Sequence, residues 1–149
     1  MYKKILVPLD GSKRAEMILP HVEELAHRFE ARVIFLKVIE PINVFPTTQG
    51  YMPDMGPLWE QQNFLIERSK TYLSGFEGAL SEKNIDAKII VGEGPIVNTI
   101  IEVAEREGVD LIAMASHGRT GLSHVFYGSV AAGVLHRIDR PLLLIRADD

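Results

Sequence analysis

Residues 4–12 read Lys-Ile-Leu-Val-Pro-Leu-Asp-Gly-Ser, an apolar run that ends in a turn. The run has the length and composition of a short buried strand. After the turn, apolar residues recur at helical spacing, at Ile18, Val22, Leu25 and Phe29. Ser12 is well placed to cap this helix, because its hydroxyl can accept a hydrogen bond from a backbone N–H of the first turn. The stretch therefore predicts a strand, a turn and a helix in that order.

The same alternation continues to the end of the chain. The predicted strands are Lys4–Leu9, Arg32–Ile39, Ala87–Val91, Asp110–Ala115 and Leu142–Ile145. The predicted helices start at Ser12, run over Leu58–Glu82 and Ile96–Glu107, and start again near Ser129. A strict order of strand and helix predicts an α/β fold, in which helices cover both faces of an open, five-stranded parallel sheet. A long loop over Glu40–Pro57, rich in proline and glycine, interrupts the pattern.

Composition narrows the class of protein. The chain has 149 residues, which is the size of one domain, so we expect a single domain over residues 1–149. It has no cysteine, which excludes disulfides, a thiol nucleophile, zinc–thiolate sites and iron–sulfur clusters. The formal net charge of −4 argues against broad contact with nucleic acid. No apolar run is long enough for a membrane span or a signal peptide, so we expect a cytoplasmic protein without a membrane partner.

The predicted sheet also indicates where a ligand would bind. In open parallel sheets, ligands bind outside the carboxyl ends of the strands. The loop after the fourth strand begins Ser-His-Gly-Arg-Thr-Gly at residues 116–121, and Gly128 and Ser129 start the next helix. Glycines let backbone N–H groups approach an anion, and a helix start adds partial positive charge, which favours phosphate. An ordinary strand-to-helix loop remains an alternative, since neither a P-loop nor a dinucleotide fingerprint is present.

Four segments taken together resemble the universal stress protein family. They are residues 5–12 (Ile-Leu-Val-Pro-Leu-Asp-Gly-Ser), residues 110–121 (Asp-Leu-Ile-Ala-Met-Ala-Ser-His-Gly-Arg-Thr-Gly), Gly128-Ser129-Val130, and residues 140–145 (Arg-Pro-Leu-Leu-Leu-Ile). The resemblance covers nearly the whole chain. It implies a Rossmann-like sheet of strand order 3-2-1-4-5, related to the adenine nucleotide alpha hydrolases.

The ATP-binding branch of that family carries the pattern Gly-x2-Gly-x9-Gly-[Ser/Thr]. Gly118, the nine residues 119–127, Gly128 and Ser129 match it, whereas Ala115 stands at the first glycine. An added methyl group there can narrow the approach of the backbone to ribose or phosphate.

The resemblance implies ATP as ligand, with Mg²⁺ held through the phosphates. Pro8 and Asp10 would meet the adenine or ribose end, and Val38 would flank the adenine. The remaining implied contacts run from ribose to terminal phosphate in the order Met114, Ala115, His117, Gly118, Arg119, Gly128, Ser129 and Val130. Metal-ligating side chains are not assigned. Asp10 has a second interpretation, in which it only bonds the Gly11–Ser12 turn.

Three functions remain open from the sequence. The first is a nucleotide-dependent stress or signalling protein with at most slow hydrolysis. The second is an enzyme on the same scaffold that hydrolyses ATP or transfers an adenylyl group. The third is an interaction module that binds no nucleotide, which Ala115 motivates. The short apolar strand Leu142–Ile145, predicted at a sheet edge, favours a two-fold homodimer in all three.

Overall fold

The computed structural model describes residues 1–42, 50, 54–117 and 128–147. Its strands are β1 (Lys4–Pro8), β2 (Arg32–Ile39), β3 (Ala87–Glu93), β4 (Leu111–His117) and β5 (Leu142–Ala147). Its helices are α1 (Lys13–Glu16), α2 (Leu19–Phe29), α3 (Gly56–Glu82), α4 (Ile96–Glu107) and α5 (Ser129–Arg137). Among the described residues, no helix combines the length and the apolar composition that crossing a membrane requires.

The five strands form one open parallel sheet in the order β3-β2-β1-β4-β5. The fold class and the strand order 3-2-1-4-5 are confirmed. The order reverses at β1, which pairs with β2 on one side and β4 on the other; Leu6, for example, is in register with both Ile34 and Ile112. This reversal places the carboxyl ends of β1, β2 and β4 side by side.

Side chains on successive strand residues enter two separate cores, because they point to opposite faces of the sheet. Ile5 and Val7 of β1 belong to the core under α2 and α3. Leu6, between them, belongs to the core under α4 and α5. All three are fully buried, as expected for strands that helices cover on both sides.

The predicted first helix is in fact two helices. The side chain of Ser12 caps α1 as predicted, its Oγ accepting a 3.1 Å hydrogen bond from the N–H of Ala15. The chain then turns at residues 17–18 before α2 begins. Pro20 lies in the first turn of α2, and because it has no N–H it cannot bond the carbonyl of Glu16 to continue a single helix.

Several predicted boundaries also shift. β4 continues through Ser116 to His117, so the predicted loop starts two residues later, and β4 pairs with β5 over this extension. β3 continues to Glu93 and β5 to Ala147, while α3 begins at Gly56. Most of the predicted Glu40–Pro57 loop lies outside the described residues.

Candidate functional site

A cavity of about 390 Å³ opens at the carboxyl ends of β1, β2 and β4, within the size range of small-molecule sites. Eight of the eleven predicted site residues line it: Pro8, Asp10, Val38, Met114, Ala115, Gly128, Ser129 and Val130. His117 ends β4, but its side chain lies outside what the structure describes, as do Gly118 and Arg119 entirely. The structure therefore brings together residues from three strands and α5.

One part of the cavity wall is apolar. It consists of aliphatic and thioether side chains from β2, β4 and α4, namely Leu36, Val38, Met114, Ile96 and Ile100. All five belong to, or pack against, the core under α4 and α5, which fixes their positions. A rigid apolar wall of this kind suits a flat hydrophobic group such as a nucleobase.

Asp10 follows β1 and lies both at the turn and at the cavity, so its position is compatible with both interpretations of this residue. Its Oδ1 accepts hydrogen bonds from the backbone N–H of Ser12 at 2.9 Å and from the Ser12 hydroxyl at 2.6 Å, so it does hold the turn. It also lines the cavity. Burial raises the pKa of Asp10, but the two bonds from Ser12 and the charge of Arg14 outweigh burial and lower the pKa below its ordinary value. Asp10 is therefore an ionised carboxylate at neutral pH.

Sequence reasoning missed Arg14. From α1, its Nη2 approaches Asp10 Oδ2 at 3.4 Å, and its Nη1 donates to the backbone carbonyl of Ala115 at 3.3 Å. Its side chain is only 13% exposed and lines the cavity. The sequence signal that could have identified Arg14 is its position at the start of a helix, four residues after Asp10. That spacing places the two side chains on one side of the chain.

Lys37 was missed as well. It is a half-buried cation near the end of β2, and it lines the cavity on the opposite side of the Asp10–Gly11 turn from the β4 strand. Its Cε lies 4.0 Å from the point where a Cβ on Gly11 would stand. Among the residues that the structure describes, Lys37 has no hydrogen-bond or ion-pair partner. The sequence signal that could have identified Lys37 is the presence of a lysine inside an otherwise apolar strand.

The N-terminus of α5 forms a third part of the wall. Gly128 precedes the helix with φ +83°, a conformation that glycine adopts readily, and no described side chain caps the helix. Ser129 and Val130, its first two residues, line the cavity. The unpaired N–H groups of a first helical turn bind anions well.

Ala115 does not strain the backbone. Its φ is not positive, and it lies inside β4 in register with Ile145. A methyl group costs little in such a regular strand conformation, so the departure from the glycine of the pattern is compatible with the fold.

Residues 1–146 match the universal stress protein family. The chain belongs to the universal stress protein family. It is 32% identical over 156 residues to the universal stress protein MJ0577 of Methanocaldococcus jannaschii, covering 98% of this chain and 96% of that protein. The solved structure of MJ0577 superposes with a TM-score of 0.78 over 100% of this chain and 99% of that one.

Two more distant members of the family were solved with nucleotides. A universal stress protein in complex with cAMP has a TM-score of 0.62 at 19% identity, covering 98% of each chain. The universal stress protein of Archaeoglobus fulgidus in complex with dAMP has a TM-score of 0.65 at 18% identity, covering 97% of this chain and 98% of that one. These two likenesses show the shared fold.

Among the residues that the structure describes, no group of three or more histidine, aspartate or glutamate side chains could hold a metal ion. Asp10 is the acidic side chain among the described residues that line the cavity. The cavity thus offers apolar surface, two cations and helix N–H groups, and this donor set suits a nucleotide better than a bare metal ion.

Proposed function

We propose that this universal stress protein binds ATP, with Mg²⁺ carried on the phosphates, and acts as a nucleotide-dependent module in a cytoplasmic homodimer. The observation that carries the proposal is the cavity, which joins an apolar wall to the N-terminus of α5. The apolar wall suits an adenine base, and the N–H groups at the N-terminus of α5 suit a chain of phosphates.

The contacts would be shared among the three parts of the wall. Val38 and Met114 would sandwich or flank the adenine, with the backbone of β2 available for hydrogen bonds. Pro8, Asp10 and Ala115 would border the ribose. The N–H groups of the first α5 turn and the Ser129 hydroxyl would donate to the phosphates. The ligands of the cAMP and dAMP complexes are adenine nucleotides as well, which supports the choice of base.

The described part of the cavity lacks a strong general base, so we expect hydrolysis to be slow at most. Asp10 is the candidate on chemical grounds, but its Oδ1 is bonded twice by Ser12 and its Oδ2 faces Arg14. A carboxylate with a lowered pKa takes a proton from water poorly.

Isothermal titration of ATP in Mg²⁺ buffer tests the binding proposal. We expect one site per chain with a dissociation constant well below the millimolar range, and GTP serves as the control for the base. Failure to bind ATP below the millimolar range would contradict the proposal. Native mass spectrometry of the purified protein gives an independent check, since a bound nucleotide adds a known mass.

The homodimer would form at β5. This strand is paired with β4 on one side and has no second strand partner among the described residues. Leu142 to Ile145 are only partly buried, and an apolar edge of this kind pairs readily with a second copy. Size-exclusion chromatography with light scattering should give twice the chain mass of 16.7 kDa. A single-chain mass would rule the dimer out.

A further inference from the structure

The strands β1 and β4 separate before either of them ends. Their last register pair is Leu6 with Ile112, although β1 continues to Pro8 and β4 to His117. The Leu9 N–H donates to a β2 carbonyl at 2.8 Å, so by alternation along the strand the nitrogen of Pro8 faces β4. Because proline has no N–H, β1 cannot donate to β4 at this position, and the ladder between the two strands stops.

The separation leaves the Ala115 carbonyl on the open side of β4. The Ile112 N–H donates to the carbonyl of Pro141 at 3.0 Å, beside β5. By alternation, the peptide groups of Ala113 and Ala115 face β1 instead. Among the described residues, β1 supplies no donor to Ala115, because its pairing with β4 has already ended. Ala115 is 7% exposed, and a buried carbonyl without a donor costs free energy.

Arg14 supplies the donor from α1. Its Nη1 donates to the Ala115 carbonyl at 3.3 Å, while its Nη2 lies 3.4 Å from Asp10 Oδ2. One planar guanidinium therefore bridges the turn after β1 and the strand β4, at the point where backbone pairing no longer joins them. Since its charge is paired with Asp10, Arg14 acts here as a link between two strand ends and not as a free cation.

The short helix α1 is held firmly enough to place this link. Ser12 caps the helix, and Ala15 is buried in the core under α2 and α3. Glu16 accepts a 3.1 Å hydrogen bond from the hydroxyl of Tyr72 on α3. The core and α3 therefore set the position from which the Arg14 side chain reaches the crevice.

We propose that Arg14 is a positioning residue, which fixes the separation of Asp10 and Ala115 and orients both towards the ribose hydroxyls of the bound nucleotide. Carboxylate and carbonyl oxygens each accept more than one hydrogen bond, so an oxygen that Arg14 contacts can still accept from a ribose hydroxyl. Acceptors that are already ordered bind more tightly, because less entropy is lost on binding. The inference rests on the proposed function, since it takes the ribose to lie between Asp10 and Ala115.

Titration calorimetry of the full chain with ATP and 2′,3′-dideoxy-ATP isolates the ribose hydroxyls, since the two ligands share the base and the triphosphate. We expect the wild-type chain to bind ATP about tenfold more tightly than the dideoxy analogue. In Arg14→Met this preference should fall below about threefold, because Asp10 and Ala115 are no longer held at a fixed separation. The preference is the decisive quantity, because a merely structural loss weakens both ligands equally.

Two further variants separate the link from the charge. Arg14→Lys keeps the positive charge but has one nitrogen in place of a planar fork, so the preference for ATP should again fall below about threefold. Lys13→Met is the matched control, because it removes a basic side chain that is 96% exposed on the same helix, and it should keep the wild-type preference. Thermal unfolding checks that each variant folds, and Arg14→Lys carries the test if Arg14→Met does not fold.

The outcomes distinguish this inference from the proposed function. If the wild-type chain binds ATP and dideoxy-ATP equally well, or if Arg14→Met weakens both to the same extent, Arg14 is not a positioning residue and the proposed function stands. If Arg14→Lys keeps the full preference, charge alone is sufficient and the bridging role is wrong. If ATP does not bind at all, the proposed function fails and this inference fails with it.

Discussion

The two ends of the parallel sheet both carry charged side chains, but they use them differently. At the amino end, the Asp110 carboxylate accepts the backbone N–H groups of Lys3 and Lys4 at 3.0–3.2 Å. The Lys4 ammonium donates to the carbonyl of Glu107 at 2.9 Å, and Arg140 donates to two further carbonyls. These charges join strand starts to helix ends.

At the carboxyl end, the described contacts of the two basic side chains that line the cavity differ from these. Arg14 donates to the carbonyl of Ala115 at 3.3 Å and to Asp10 Oδ2 at 3.4 Å, and Lys37 has no hydrogen-bond or ion-pair partner among the described residues. Charged groups that bond the backbone at short distance stabilise the fold, whereas a cation at a cavity that has no described partner, as Lys37 has none, is available to a ligand. The contrast predicts that substitutions at the amino end change stability and substitutions at the carboxyl end change binding.

The largest expected effect is at the amino end, in Arg140→Met. The Arg140 Nη1 donates to the carbonyls of Ala104 at 2.9 Å and Val109 at 3.0 Å, and its side chain is only 18% exposed. Losing these bonds leaves the Val109 carbonyl without its side-chain donor, whereas the Ala104 carbonyl keeps the backbone N–H of Val109 at 3.1 Å, so the free energy of unfolding should fall by about 1–3 kcal/mol. Urea denaturation measures this change.

Two controls test whether the loss of stability in Arg140→Met comes from its bonds to the backbone. Arg28→Met removes an arginine that is 70% exposed and paired with Glu24 on the surface of α2, so it should cost less than about 0.5 kcal/mol. ATP affinity should change less than about twofold in both variants. A tenfold loss of ATP affinity in Arg140→Met, without loss of stability, would contradict the prediction that the amino-end charges act on stability and not on binding.

At the carboxyl end, Ser129→Ala should change binding instead. Ser129 is the exposed first residue of α5 and lines the cavity, and its side chain does not cap the helix. Removing a hydroxyl that donates to a phosphate should weaken ATP binding about tenfold, while the midpoint of urea denaturation stays unchanged. Ser74→Ala, at an exposed position on α3, is the control and should alter neither quantity.

The sequence predicted the order of strands and helices and the end of the sheet at which the candidate site lies, because both follow from the hydrophobic pattern and from parallel topology. It predicted neither the amino-end contacts nor the last residues of β3, β4 and β5. It did not predict that Pro20 divides the first helix, since the apolar spacing continues across the break. It also missed Lys37. β2 is apolar on both faces, so its pattern does not reveal which residues point towards the cavity, and only the register of the sheet fixes that.

Arg14 was missed for a related reason. Its contact with the Ala115 carbonyl joins positions 101 residues apart, and that proximity exists only after β1 and β4 pair. The residues from 118 to 127, which include Gly118 and Arg119, lie outside the described part of the chain, so their assigned contacts with phosphate stay predictions.

Ala115→Gly should have a smaller effect than either preceding substitution. Ala115 adopts an ordinary strand conformation, so its methyl group does not force the backbone out of place. We expect ATP affinity to change less than about threefold and stability to fall by about 0.5–1 kcal/mol, because glycine weakens a strand. A large gain of affinity from near-zero binding would show that the methyl group blocks the site, and would favour the interaction module without nucleotide.

The smallest expected effect is the pH dependence of Asp10→Asn. The folded chain lowers the pKa of Asp10, so its ionised form stabilises the fold at pH values above the ordinary carboxyl pKa, and this contribution is lost as the pH falls through the folded pKa. The asparagine keeps a side-chain carbonyl that can accept the bonds from Ser12, and only the charge facing Arg14 is removed. Because the Asp10 side chain is 58% exposed, the difference in unfolding free energy should be about 0.5 kcal/mol or less at pH 7.

Urea denaturation of wild type and Asp10→Asn between pH 7 and strongly acidic pH measures that difference. It should shrink steadily as the pH falls and vanish once the wild-type carboxylate is protonated. A difference that stays constant with pH would mean that the substitution acts through the turn at Gly11 and not through the charge. A difference of several kcal/mol would mean that Asp10 stabilises the fold as strongly as the amino-end charges do, and the two ends of the sheet would then no longer differ in kind.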